Sequence, residues 1–129
     1  MSFRLDHIHS RSADPDMTAK FYIENLGATE IRRTDNGAMF RVEIELRGLT
    51  LFIETVQGGA GNLRPPRTLG LEHIGLCVLK LDEVMVKLKA AGVGIVVEQK
   101  EACPGVKVAF IQAPDGVQIE LIERSPVAG

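Results

Sequence analysis

The chain has 129 residues, with 15 Lys and Arg against 17 Asp and Glu, for a net charge of −2. Its length suits one compact domain or two tightly joined half-size modules, and its 45% hydrophobic and 25% charged residues are those of an ordinary globular protein. Disorder, collagen-like repeats and coiled coil are excluded, and the balanced charge gives no general drive toward nucleic acid or an anionic membrane. No apolar run approaches the ~18–20 residues of a membrane span. Met1-Ser2-Phe3-Arg4-Leu5-Asp6 shows no basic region followed by an apolar stretch, so a cytoplasmic location is expected. Cys77 and Cys103 form no CxxC pair and are expected to be buried, reduced thiols.

In chain order, Phe3 to Ser10 is an apolar, strand-like run. Asp14-Pro15-Asp16 then offers an N-cap and a proline for the first helical turn. Met17, Phe21 and Leu26 recur at roughly helical spacing and are expected in the helix core with Tyr22, and Gly27 ends the helix. Strands are expected at Ala28–Arg33, Ala38–Leu46 and Thr50–Val56, with Glu43 and Glu45 on a solvated face. The segment from Val56 to Arg67 holds three glycines and two prolines and cannot continue a helix or a central strand.

A second series then begins. Leu71 to Leu79 reads as a strand. A helix is expected from about Asp82, with Val84, Leu88 and Ala91 on its apolar face and Gly92 at its end. Strands follow at Gly94–Glu98, Val106–Gln112 and Gln118–Ile122, and Glu123 reads as solvated strand-end charge. Each half is therefore β-α-β-β-β, an internal repeat in an α+β protein. The boundaries expected are 1–57 for the first module, 58–70 for a Gly/Pro-rich linker and 71–125 for the second module. The pairs Asp6 and Glu72, His7 and His73, Asp16 and Asp82, Val42 and Val108, and Glu54 and Glu120 all stand 66 residues apart.

The chain has three histidines, His7, His9 and His73. Glu54 and Glu120 each lie in the last strand of their half. A carboxylate in an apolar strand is costly to bury unless it is paired or bound to a metal. Imidazole and carboxylate together suit a borderline divalent ion such as Zn, Ni, Co, Mn or Fe. Strand alternation puts His7, His9 and Arg11 on one face, and His73, Gly75 and Cys77 on the equivalent face of the second half. Phe52 goes with Glu54, and Gln118 with Glu120. His9 has Gly75 at its repeat position and reads as a pocket-lining residue, with a ligand role as the open alternative. Arg11 is a candidate anion holder.

Asp6-His7-Ile8, Phe21-Tyr22, Leu26-Gly27, Glu72-His73-Ile74-Gly75 and Pro114-Asp115-Gly116 leading to Ile119-Glu120-Leu121-Ile122-Glu123 resemble the vicinal oxygen chelate superfamily. That superfamily includes glyoxalase I, methylmalonyl-CoA epimerase, extradiol dioxygenases and the fosfomycin and bleomycin resistance proteins. The resemblance runs from Leu5 to Glu123. It implies paired β-α-β-β-β modules whose mixed sheets curl around one divalent metal per site, with the site built between modules, often across a homodimer. It places His7, Glu54, His73 and Glu120 on the ligand positions of glyoxalase I, with Ni, Zn, Co or Mn ahead of Fe.

It further implies Glu120 as principal base, Glu54 sharing the proton, and Arg11 at a position that holds a glutathione carboxylate in glyoxalase I, while strand alternation adds His9, Phe52, Cys77 and Gln118 to the expected substrate pocket. The implied reaction turns a hemithioacetal of a 2-oxoaldehyde and a thiol, glutathione in the family, into a 2-hydroxyacyl thioester through a metal-stabilised enediolate. Two alternatives stand beside it: an epimerase acting on a CoA thioester at the same metal site, and a metal-free protein that sequesters a ligand.

Overall fold

The computed structural model describes residues 2–56, 61–65 and 67–125. Residues 58–60 and Pro66 of the expected linker, and Gln57 at the expected end of the first module, lie outside the described residues. The chain divides into two compact units, Met1–Leu63 and Arg64–Gly129.

Unit 1 runs β1 (Ile8–Ser12), α1 (Pro15–Leu26), β2 (Thr29–Asp35), β3 (Phe40–Leu46) and β4 (Leu49–Thr55). Its sheet order is β1-β4-β3-β2, with β1 parallel to β4 and the other pairs antiparallel. Antiparallel neighbours need only a tight turn, whereas β1 and β4 need the long crossover that begins with α1.

α1 starts where the local chemistry dictates. Asp14 is extended and its carboxylate accepts the Met17 N–H at 3.2 Å, while Pro15 opens the first turn. Gly27 closes the helix at φ 75, a left-handed conformation that favours glycine. The buried face is Thr18, Ala19 and Tyr22, and the helix packs on β3 and β4. There Val42, Ile44, Leu46, Leu51 and Ile53 alternate onto the helix side and are fully covered. Each such aliphatic side chain contributes about 1.5–3 kcal/mol by leaving water.

Several expectations fail in this unit: the first strand is Ile8–Ser12 and not Phe3–Ser10, Phe21 and Leu26 are only half-buried, and Met17 and Glu43 are placed otherwise. Met17 is 66% exposed, because a face centred on residues 18, 19 and 22 turns position 17 outward. Glu43 is buried, because β3 lies between two strands and Arg41 reaches Glu43 at 3.7 Å.

Unit 2 runs β5 (His73–Cys77), α2 (Leu81–Ala90), β6 (Ile95–Cys103), β7 (Val106–Gln112) and β8 (Gln118–Arg124). The order is β5-β8-β7-β6, again with the first strand parallel to the last. Leu81, Met85 and Leu88 form the buried stripe of α2, while Val84 is half-buried and Ala91 exposed, unlike the expected face. The sheet side of the core holds Ala109, Ile111, Ile119 and Leu121.

α2 begins at Leu81 without a side-chain cap from its own N-cap residue, Lys80. Glu123 supplies the acceptor from β8, taking the Leu81 N–H at 2.7 Å. Glu123 is thus the cap of α2 and not free surface charge. Asp82 and Glu83 in the first turn and Lys87 and Lys89 in the last add to the match with the helix dipole. Glu123→Ala is expected to lower the stability of unit 2 by about 0.5–2 kcal/mol, read by thermal melting.

Both cysteines are exposed, contrary to the expected burial. Cys77 falls on the outward side of β5, since Ile74 and Leu76 take the other side, and Cys103 closes β6, whose last residues are all exposed. Among the described residues, no helix is long and apolar enough to cross a membrane.

Candidate functional site

The outward face of unit 2 carries the clearer arrangement. β5 and β8 pair with His73 opposite Gln118 and Gly75 opposite Glu120. His73 Nε2 stands 3.5 Å from Glu120 Oε1. Two ligands held about 2.0–2.2 Å from a metal at a tetrahedral angle lie about 3.4 Å apart, so this pair fits joint ligation of one ion. The Nδ1 side of His73 faces Glu72 at 3.5 Å, a carboxylate placed to orient the ring. Phe110, across the strand pair from Glu120, stands edge-on to His73 at 5.1 Å. Gly75 leaves the space beside Glu120 open, since a Cβ there would meet Glu120 Oε1 at 3.5 Å. Among the described residues Glu120 pairs with no Lys or Arg, so its charge is free for a cation.

Unit 1 differs. Glu54 is 7% exposed and is gripped by two arginines. Arg41 donates to Oε1 through Nε at 2.9 Å and Nη2 at 2.8 Å, and Arg11 donates to Oε2 at 2.5 Å. Strand register explains both, because Arg41 and Arg11 are the direct neighbours of Glu54 on β3 and β1. A carboxylate has about four acceptor sites, so one remains on Oε2. His9 Nε2 faces that oxygen at 3.5 Å.

Burial alone would push the Glu54 carboxyl up. The hydrogen bonds from Arg41 and Arg11, and the charges of Arg41 and His9, outweigh it and hold the group below its ordinary value. A depressed carboxylate stabilises the fold above the ordinary carboxylate range, and that contribution is lost as pH falls through the lowered value. Arg41→Ala is therefore expected to weaken the fall of stability below about pH 4, read as urea midpoints across an acid series.

His7 is placed otherwise. It lies just before β1, its ring stacks flat on Phe52 at 3.9 Å and 10°, and Nδ1 bonds Asp6 at 2.7 Å. Arg41 covers Phe52 as well, at 4.9 Å from the ring centre. Within each unit, the described residues bring an imidazole and a carboxylate together, and no set of three His, Cys, Asp or Glu gathers at one point. Cys77 and Gln118 share the face of His73 and Glu120 by alternation.

Sequence reasoning missed Arg41, Phe110 and the capping role of Glu123. A signal for Arg41 was present. The two-residue turn Arg47-Gly48 between paired Leu46 and Leu49 places residue 41 opposite residue 54.

The family model described as the Glyoxalase/Bleomycin resistance protein/Dioxygenase superfamily matches residues 4–121. A probable chloroplastic lactoylglutathione lyase of Arabidopsis thaliana is 30% identical over 95% of this chain, which spans 36% of that protein's length. Among solved structures, the trypanothione-dependent glyoxalase I of Leishmania major aligns at 25% identity and a TM-score of 0.77, covering 95% of this chain and 87% of that one. Glyoxalase I of Zea mays aligns at 23% identity and a TM-score of 0.79, covering 95% of this chain and 45% of the maize chain. The two βαβββ units and the match across residues 4–121 agree, and the chain belongs to the Glyoxalase/Bleomycin resistance protein/Dioxygenase superfamily.

Proposed function

We propose that the chain is a metal-dependent isomerase of the glyoxalase I kind, acting on the hemithioacetal of a 2-oxoaldehyde and a thiol. The observation that carries this reading is the His73–Glu120 pair, held at ligating separation on an open sheet face, with no Lys or Arg paired to Glu120 among the described residues. A divalent metal, when bound, supplies a Lewis acid for the two neighbouring oxygens of the substrate.

Glu120 then acts as the proton carrier. It removes the proton from the carbon bearing sulfur and returns it to the adjacent carbon, while the hydroxyl proton of the first carbon passes to the oxygen of the second, so the carbonyl moves next to sulfur and no atom is lost. Glu54 is the poorer base, because its two guanidinium partners favour the ionised form. Gly75 keeps the approach to Glu120 free of a side chain, and Phe110 presents an apolar wall beside His73.

The test is thioester formation from methylglyoxal and glutathione by protein stripped of metal and then reloaded. Thioester that forms only after reloading supports the reading. Deuterium exchange into a 2-acyl-CoA without thioester formation would move the assignment to an epimerase. Neither activity, with an organic ligand retained by the metal-free protein, would make it a sequestering protein.

A further inference from the structure

We propose that Glu72 is the positioning residue of His73, holding the ring proton on Nδ1 so that the Nε2 lone pair is free for a cation beside Glu120. This rests on the reading under Proposed function and names a residue that serves it from outside the ligand pair.

His73 opens β5, and its ring stands between two carboxylates. Glu72 Oε2 is 3.5 Å from Nδ1, and Glu120 Oε1 is 3.5 Å from Nε2. A neutral imidazole carries one N–H, and an ionised carboxylate can only accept. The two carboxylates therefore compete for one proton. On Nδ1 it points to Glu72 and leaves the lone pair on Nε2, the form in which Nε2 can ligate a metal. On Nε2 it points to Glu120, and the two candidate ligands then satisfy each other in place of a cation. Among the described residues no other side chain pairs with either ring nitrogen, so Glu72 is the group that opposes the second form.

The start of the strand explains how Glu72 reaches the ring. Inside a strand, adjacent side chains point to opposite faces. Glu72 stands one residue ahead of β5, whose ladder begins with His73 opposite Gln118, so the pleat does not turn it away. The repeat builds the same arrangement in unit 1. Asp6 directly precedes His7 ahead of β1, and its carboxylate bonds Nδ1 at 2.7 Å. The Glu72 side chain is 76% exposed, so its removal leaves no cavity.

The test reads the position of the ring proton in the stripped full chain by two-bond nitrogen–proton NMR at about pH 9, where a free imidazole is neutral. The chain has three histidines, and the His73 signals are those missing from His73→Ala. Glu72→Ala is expected to move the His73 proton from Nδ1 toward Nε2. In a separate titration it is expected to lower Co(II) affinity by about 10- to 100-fold, with an unaltered melting temperature. Glu72→Gln, whose amide oxygen still accepts a hydrogen bond, is expected to restore the Nδ1–H form and most of the affinity. An unmoved ring proton in Glu72→Ala would overturn the proposal, as would a moved proton with unchanged Co(II) affinity. If His73→Ala loses Co(II) while Glu72→Ala keeps it, only the Glu72 assignment falls. If wild type binds none, both it and the isomerase reading fall.

Discussion

Glu120→Gln is expected to lower hemithioacetal turnover by about 10²- to 10⁴-fold, the usual contribution of a positioned proton carrier. The amide keeps the shape of the side chain and an oxygen that can face a cation, but it cannot take up the proton. The fold should not change. Glu120 is on the outward face of β8, its partner there is His73, and the buried side of that strand is occupied by Ile119 and Leu121. The expected result is a fall in kcat with an unaltered melting temperature. Full turnover in the variant would assign the proton transfer to another group.

One residue further along, the opposite pattern is expected. Leu121 is 1% exposed and points to the helix side of unit 2, where α2 packs on β8. Leu121→Ala removes buried methyl groups and leaves a cavity, at a cost of about 2–5 kcal/mol. Chemical denaturation should show the loss, while activity below the melting transition changes little. Adjacent residues of one strand thus separate chemistry from stability, because alternation sends them to opposite faces. A Leu121→Ala protein as stable as wild type would contradict the packing described for this sheet.

Much of the fold was legible because its signals are local. Asp14-Pro15 and Gly27 bound α1 as their capping chemistry requires, and β7 occupies the expected Val106–Gln112. β6 was read too short, as Gly94–Glu98 instead of Ile95–Cys103. Register irregularities along it break the two-residue alternation on which strand recognition depends. The burial of Glu43 and the capping by Glu123 were hidden because both depend on partners brought in by the fold.

The candidate site was legible to the same degree. His73 and Glu120 fall on neighbouring parallel strands at a spacing the repeat made visible. Which unit 1 imidazole faces Glu54 was not legible, because residue spacing along the chain does not carry the register between two strands. The arginine grip on Glu54 was likewise invisible until β1, β3 and β4 were set side by side.

Metal content measured by mass spectrometry tests the central claim most directly. Purified protein would be stripped and reloaded separately with Ni, Co, Zn, Mn and Fe, alongside His73→Ala. About one metal per chain in wild type, lost in His73→Ala while the variant stays folded, is the result expected for a ligating His73–Glu120 pair. No retained metal under any loading, or equal content in the variant, would contradict it.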